Sequence, residues 1–89
     1  MKIKEGFVLT SVADDYIAVP TGATAESFKG IIRLNDTGAV IFRGLQEGLD
    51  ESQIVKRITD QYDNVDLERA RSAVDDIVNK LRESGILED

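Results

Sequence analysis

Residues 30 to 39 read Gly-Ile-Ile-Arg-Leu-Asn-Asp-Thr-Gly-Ala, an extended apolar stretch that runs straight into a capped helix start. Asn35 is a favoured N-cap, and Asp36 complements the helix dipole in the first turn. A strand must therefore give way to a helix within about one residue, which commits the chain to a mixed α and β architecture. Alternation over Phe28 to Leu34 sets Phe28, Gly30, Ile32 and Leu34 on one face and Lys29, Ile31 and Arg33 on the other. The first set should face the core, which leaves Ile31 as an apolar side chain on the less buried side.

At 89 residues the chain has room for one domain, spanning 1–89, with one modest core. Its 42% hydrophobic and 31% charged residues are those of a folded globular protein, and one proline with seven glycines argues against long disorder. The absence of cysteine and histidine excludes disulfides, thiolate nucleophiles and imidazole acid/base chemistry, and removes the usual zinc ligands. A net charge of -6 repels a phosphate backbone and disfavours nucleic-acid binding. No stretch has the length of a membrane span, and Met1 to Glu5 is not followed by a signal-type apolar run, so a cytoplasmic protein with no membrane partner is expected.

Phe7 to Val12 and Tyr16 to Val19 are rich in β-branched and aromatic residues, and the polar Ala13-Asp14-Asp15 between them predicts a β-hairpin. Pro20 closes the second strand, and Thr21 to Ser27 reads as a loop of small polar residues. After the third strand at Phe28 to Leu34, a helix over Asp36 to Glu47 buries Ala39, Ile41, Phe42 and Leu45 and ends at Gly48. Gly38 and Gly44 weaken that helix and are assigned to close backbone packing. Leu49, Asp50, Gln53 and Ile54 then form a capping box with a hydrophobic staple, followed by the apolar stripe Ile54, Val55, Ile58 and Tyr62. Asp66 caps a last helix running to Ser84, with Gly85 ending it. Its stripe is Leu67, Ala70, Val74, Ile77, Val78 and Leu81, and Arg71 with Asp75 and Asp76 with Lys80 stand at i, i+4. Ile86 and Leu87 should pack back on the core. The sum is an α+β fold: a three-stranded antiparallel sheet followed by a three-helix bundle, with a winged-helix-like outline.

The segment Leu34-Asn35-x-Thr37-Gly38-Ala39 between strand and helix, the spaced Ile54, Ile58 and Tyr62, and the closing Leu81-Arg82-Glu83-Ser84-Gly85-Ile86-Leu87 resemble the PqqD family over nearly the whole chain. The family is named for pyrroloquinoline quinone biosynthesis protein D. The resemblance implies a single recognition domain that is no enzyme and needs no cofactor or metal. It holds the leader segment of a ribosomally made precursor peptide and presents the rest to a modifying enzyme, often a radical S-adenosylmethionine protein. It also implies that the leader adds as a strand beside the third strand and packs against the third helix. The chain departs from the quinone-pathway pattern in having Ile86 where a tryptophan is expected after Gly85, so the pathway itself stays open.

Strand addition is physically apt, because an edge strand offers unpaired amides and carbonyls to any extended backbone, and side-chain pockets must then select the ligand. The residues expected to form the peptide-binding groove are Lys29, Ile31, Ile32 and Arg33 from the third strand, with Val74, Asp75 and Val78 from the third helix. Lys29 or Arg33 would pair with an acid of the leader and Asp75 with a base. Helical stripes are more often core than groove, so Ile32, Val74 and Ile77 read first as core residues, and Lys29 and Arg33 also read as charges that protect a sheet edge.

The dense carboxylate groups, Asp14-Asp15, Asp60 with Asp63, and Asp75-Asp76, lack the geometry of a general acid/base pair, since sequence neighbours point different ways. No loop has the oxygen-ligand spacing of a calcium hand. Two other classes compete with the peptide chaperone: a winged-helix DNA-binding regulator and an adaptor that binds only a partner protein. The regulator is opposed by the acidic total and by Glu51 and Asp60 offsetting Lys56 and Arg57. An exposed sheet edge is compatible with a monomer or a weak homodimer.

Overall fold

The computed structural model of the protein describes residues 2–28 and 30–88. In chain order the elements are β1 (Lys2–Ile3), β2 (Phe7–Val12), β3 (Asp15–Pro20), α1 (Gly22–Ser27), β4 (Ile32–Leu34), α2 (Asp36–Gln46), α3 (Glu51–Gln61), α4 (Leu67–Glu83) and β5 (Leu87–Glu88). Strands β2, β3 and β4 make an antiparallel sheet in that order, and the three long helices pack on one face of it. The hairpin turn uses Ala13 and Asp14, with Ala13 in the left-handed region at φ 55°.

The pleat assigns the two faces. Phe7, Ala18, Ile32 and Leu34 turn inward and are buried, whereas Val8, Val12 and Arg33 stand on the exposed face. Ile41, Phe42 and Leu45 of α2, Ile54 and Ile58 of α3, and Val74 and Leu81 of α4 complete one core. Each such side chain contributes about 1.5–3 kcal/mol on full burial, so the core rather than any ion pair carries the fold. No polar side chain is buried among the described residues.

Local signals set the helix ends. The carboxylate of Asp50 accepts from the Gln53 backbone N–H at 2.8 Å while the Gln53 side chain accepts from the Asp50 N–H at 3.0 Å, the expected capping box. Asn35 and Asp66 cap α2 and α4 in the same sense, each accepting at 2.8 Å. Gly48 and Gly85, at φ +85° and +79°, end α2 and α4 in paired bonds: Leu49 N–H to Gly44 and Gly48 N–H to Leu45, then Ile86 N–H to Leu81 and Gly85 N–H to Arg82. The second of these turns aims the C-terminus back at the core. Ile86 and Leu87 are buried there, as the sequence leads one to expect.

Three features differ from that reading. Thr21 to Ser27 is not a loop: α1 occupies most of it, though none of its residues is buried. With no apolar stripe to announce it, α1 is held from outside, by Thr24 Oγ1 donating to the Glu5 carbonyl and Thr21 Oγ1 to the Gly6 carbonyl, both at 2.9 Å. The third strand is shorter than Phe28 to Leu34, because Gly30 adopts φ +120° and breaks the run; only Ile32–Leu34 pair with β3. Phe28 stands outside the strand with its ring edge-on to Phe7 at 5.3 Å. Finally, β1 and β5 form a second, two-stranded sheet that joins the chain ends. No helix among the described residues is long and apolar enough to cross a membrane.

Candidate functional site

Strand β4 is an edge. It pairs with β3 on one side, and among the described residues no strand pairs with the other. Strands β1 and β5, near the two ends of the chain, pair with each other and not with that edge. Helix α4 stands beside it: Lys80 Nζ donates to the Arg33 carbonyl at 3.2 Å, so that carbonyl is turned toward the helix. The arrangement follows from local structure, since the Asn35 cap starts α2 immediately after Leu34 and leaves β4 only three residues to pair.

Next to this edge a shallow cleft of about 170 Å³ opens between the start of α2 and the middle of α4, lined by Asn35, Thr37, Ile41, Ala73, Asp76 and Ile77. Ala73 and Ile77 give it apolar walls above the fully buried Ile41, and Asn35, Thr37 and Asp76 supply polar ones. Asn35 is held in place by accepting from the Gly38 N–H at 2.8 Å. An extended backbone laid along β4 would place alternate side chains toward this cleft.

The expected groove residues are distributed unevenly about it. Ile31 is 57% exposed just before β4, and Arg33 is exposed within it. Ile32 turns inward and is buried, as are Val74 and Val78 at 1% and 2% exposure, so these three belong to the core and offer a ligand almost no surface, Val74 at the floor of a different groove. Asp75 lines a different groove, of about 370 Å³ between α3 and α4, together with Val55, Lys56, Leu67 and Arg71. Lys29 lies outside the described residues. The sequence reading did not place Ala73 and Asp76, which line the cleft, or Lys80, which reaches β4, at this edge. These and Ile77 form the helical row next to the one it chose, displaced by one or two positions, and only the side of α4 on which β4 lies distinguishes the rows.

Charges near the edge are few. Arg33, Asp76 and Lys80 are exposed, and Lys80 is directed at the strand instead of at Asp76, one turn back on its own helix. Arg43 lies over the Tyr16 ring at 5.4 Å, tying α2 to β3. The close pair of Glu47 with Arg57 belongs to the α2–α3 junction and not to this site. Among the described residues no group of three or more acidic side chains is placed to hold a metal ion.

No curated protein matches the sequence. Among solved structures, "TbiB1 in Complex with the TbiA(beta) Leader Peptide" superposes with a TM-score of 0.75, covering 99% of this chain and 95% of that one at 24% identity, which is a likeness of fold. The family model described as coenzyme PQQ synthesis protein D matches residues 11–87. With the sheet, the three-helix bundle and the match along most of its length in agreement, the chain belongs to the PqqD family.

Proposed function

We propose that this protein is a non-enzymatic peptide chaperone. It binds the leader segment of a ribosomally made precursor peptide by strand addition to the open side of β4, and presents that precursor to a modifying enzyme. The observation that carries this reading is the β4 edge, unpaired among the described residues, which lies beside α4 and the small cleft that α4 forms with α2. Family membership and a fold shared with a protein solved in complex with a leader peptide support it. The binding residues are Ile31 and Arg33 on the strand side and Ala73, Asp76, Ile77 and Lys80 on the helix side. A radical S-adenosylmethionine protein is the class of enzyme partner that the family suggests, and it docks on a different surface.

A short ladder and a few apolar anchors suffice for a micromolar complex, which needs about 8 kcal/mol of net binding free energy. The test is a calorimetric titration of the full chain with synthetic leaders made from any short reading frames found beside its gene, alongside a gel shift on duplex DNA. Saturable one-to-one peptide binding without a DNA shift is expected. DNA binding with a steep salt dependence, and none to the peptide, would instead identify a winged-helix regulator.

A further inference from the structure

Lys80 reaches the edge along which an incoming strand would lie. The Arg33 carbonyl is a hydrogen-bond acceptor on the open side of β4, and in the free protein the Lys80 ammonium donates to it at 3.2 Å. A strand docking along β4 brings its own backbone N–H to such an outward carbonyl. A carbonyl oxygen has two lone pairs, so the strand N–H either displaces the ammonium or shares the oxygen with it, and in both cases the ammonium stays at the edge of the ladder. A backbone carbonyl is neutral, and among the described residues Lys80 forms no ion pair, Asp76 one turn back included. In either case the flexible four-carbon stem lets the ammonium lie over the newly added strand.

We propose that Lys80 is a specificity-determining residue that selects leaders carrying a carboxylate, Asp or Glu, two positions from an apolar anchor. The spacing follows from the geometry. Ile77 lines the apolar cleft, and Lys80 is three residues further along the same face of α4, about 4.5 Å along the axis. Side chains two apart on a strand share a face and are about 6.8 Å apart, a gap that the lysine stem spans. An apolar side chain placed against Ala73 and Ile77 therefore brings its second neighbour under the ammonium. This inference rests on strand addition at β4, the reading given above.

The test is selection of an mRNA-displayed library of random 12-residue peptides against the full chain and its Lys80→Met variant, which keeps the apolar stem and removes the charge. Lys80 is exposed, so the variant folds normally, as circular dichroism will verify. The wild-type pool is expected to be enriched in Asp or Glu at the second position from an apolar residue, and the variant pool to bind without that preference. In a selected peptide, changing the acid to its amide should weaken wild-type binding about two- to fivefold and leave binding to the variant unchanged, the coupling of a single exposed ion pair. An acid preference that persists in Lys80→Met, or is absent from the wild-type pool while bound peptides perturb the β4 amides, overturns the role of Lys80 and leaves strand addition standing. Selected peptides that leave the β4 amides unperturbed overturn both.

Discussion

Gly44 of α2 lies so close to Ile54 of α3 that a Cβ built on the glycine would fall 2.8 Å from Ile54 Cγ1. Both residues are buried, and Ile54 is β-branched and stiff, so neither can move aside cheaply. The helices approach here because residue 44 has no side chain. Gly44→Ala gains up to about 1 kcal/mol in helix propensity, yet forced overpacking costs about 1–3 kcal/mol. A net destabilisation is expected in chemical denaturation, and a variant more stable than the parent would show that the two helices can separate freely.

Asp50→Ala removes the acceptor for the Gln53 N–H and with it half of the capping box. The expected loss is about 0.5–2 kcal/mol of stability. Because α3 starts well away from β4, peptide affinity should not change; a thermal melt and a titration on the same sample check both halves.

Arg57 donates to Glu47 through two bonds, Nη1 to Oε2 at 2.6 Å and Nη2 to Oε1 at 3.3 Å, joining the end of α2 to α3. The hydrogen bond from Arg57 is the main cause that holds the Glu47 carboxyl below its ordinary value of 4.5, against a slight desolvation and with a smaller pull from the guanidinium charge. A lowered carboxyl contributes stability that is present above its ordinary value and is lost as pH falls through the lowered one. Both side chains are well solvated, so the contribution is small and weakened by salt. Glu47→Gln should melt slightly below the parent at neutral pH, and the difference should close in acid below the ordinary carboxylate range. Melting curves taken across that range read it directly.

Ile31 and Val78 were both expected in the groove, and their burial gives opposite outcomes for the same change. Val78→Asp puts an unpaired charge into the core, where the cost of about 3–5 kcal/mol is enough to unfold a small domain. Ile31→Asp acts at a site that is 57% exposed and should alter stability by no more than about 0.5 kcal/mol. Leader affinity should fall roughly fivefold or more, as for truncation of an interface anchor. A folded Ile31→Asp protein with parental affinity would remove Ile31 from the binding surface.

What could be read from sequence was what short-range chemistry determines. Asn35, Asp50 and Asp66 start their helices, and Gly48 and Gly85 end theirs, because a cap involves residues within five positions of one another. The pairing of β1 with β5 depends on two residues at each end of the chain and leaves no periodic trace. Helix α1 has nothing buried to mark it. On α4 the apolar stripe was wide enough to serve two surfaces, and periodicity alone gave no reason to prefer the row of Ala73, Ile77 and Lys80 over that of Val74 and Val78. Deciding between them needed the position of β4, which is tertiary information.

The central claim concerns where a leader strand lies, and backbone amide resonances of the labelled full chain report that position residue by residue. On titration with the leader peptide, the amides of Ile32–Leu34 and of 73–80 in α4 should shift and become protected from exchange, while β2 stays as it was in the free protein. Shifts confined to β2, or to the groove between α3 and α4 around Leu67 and Asp75, would contradict strand addition at β4.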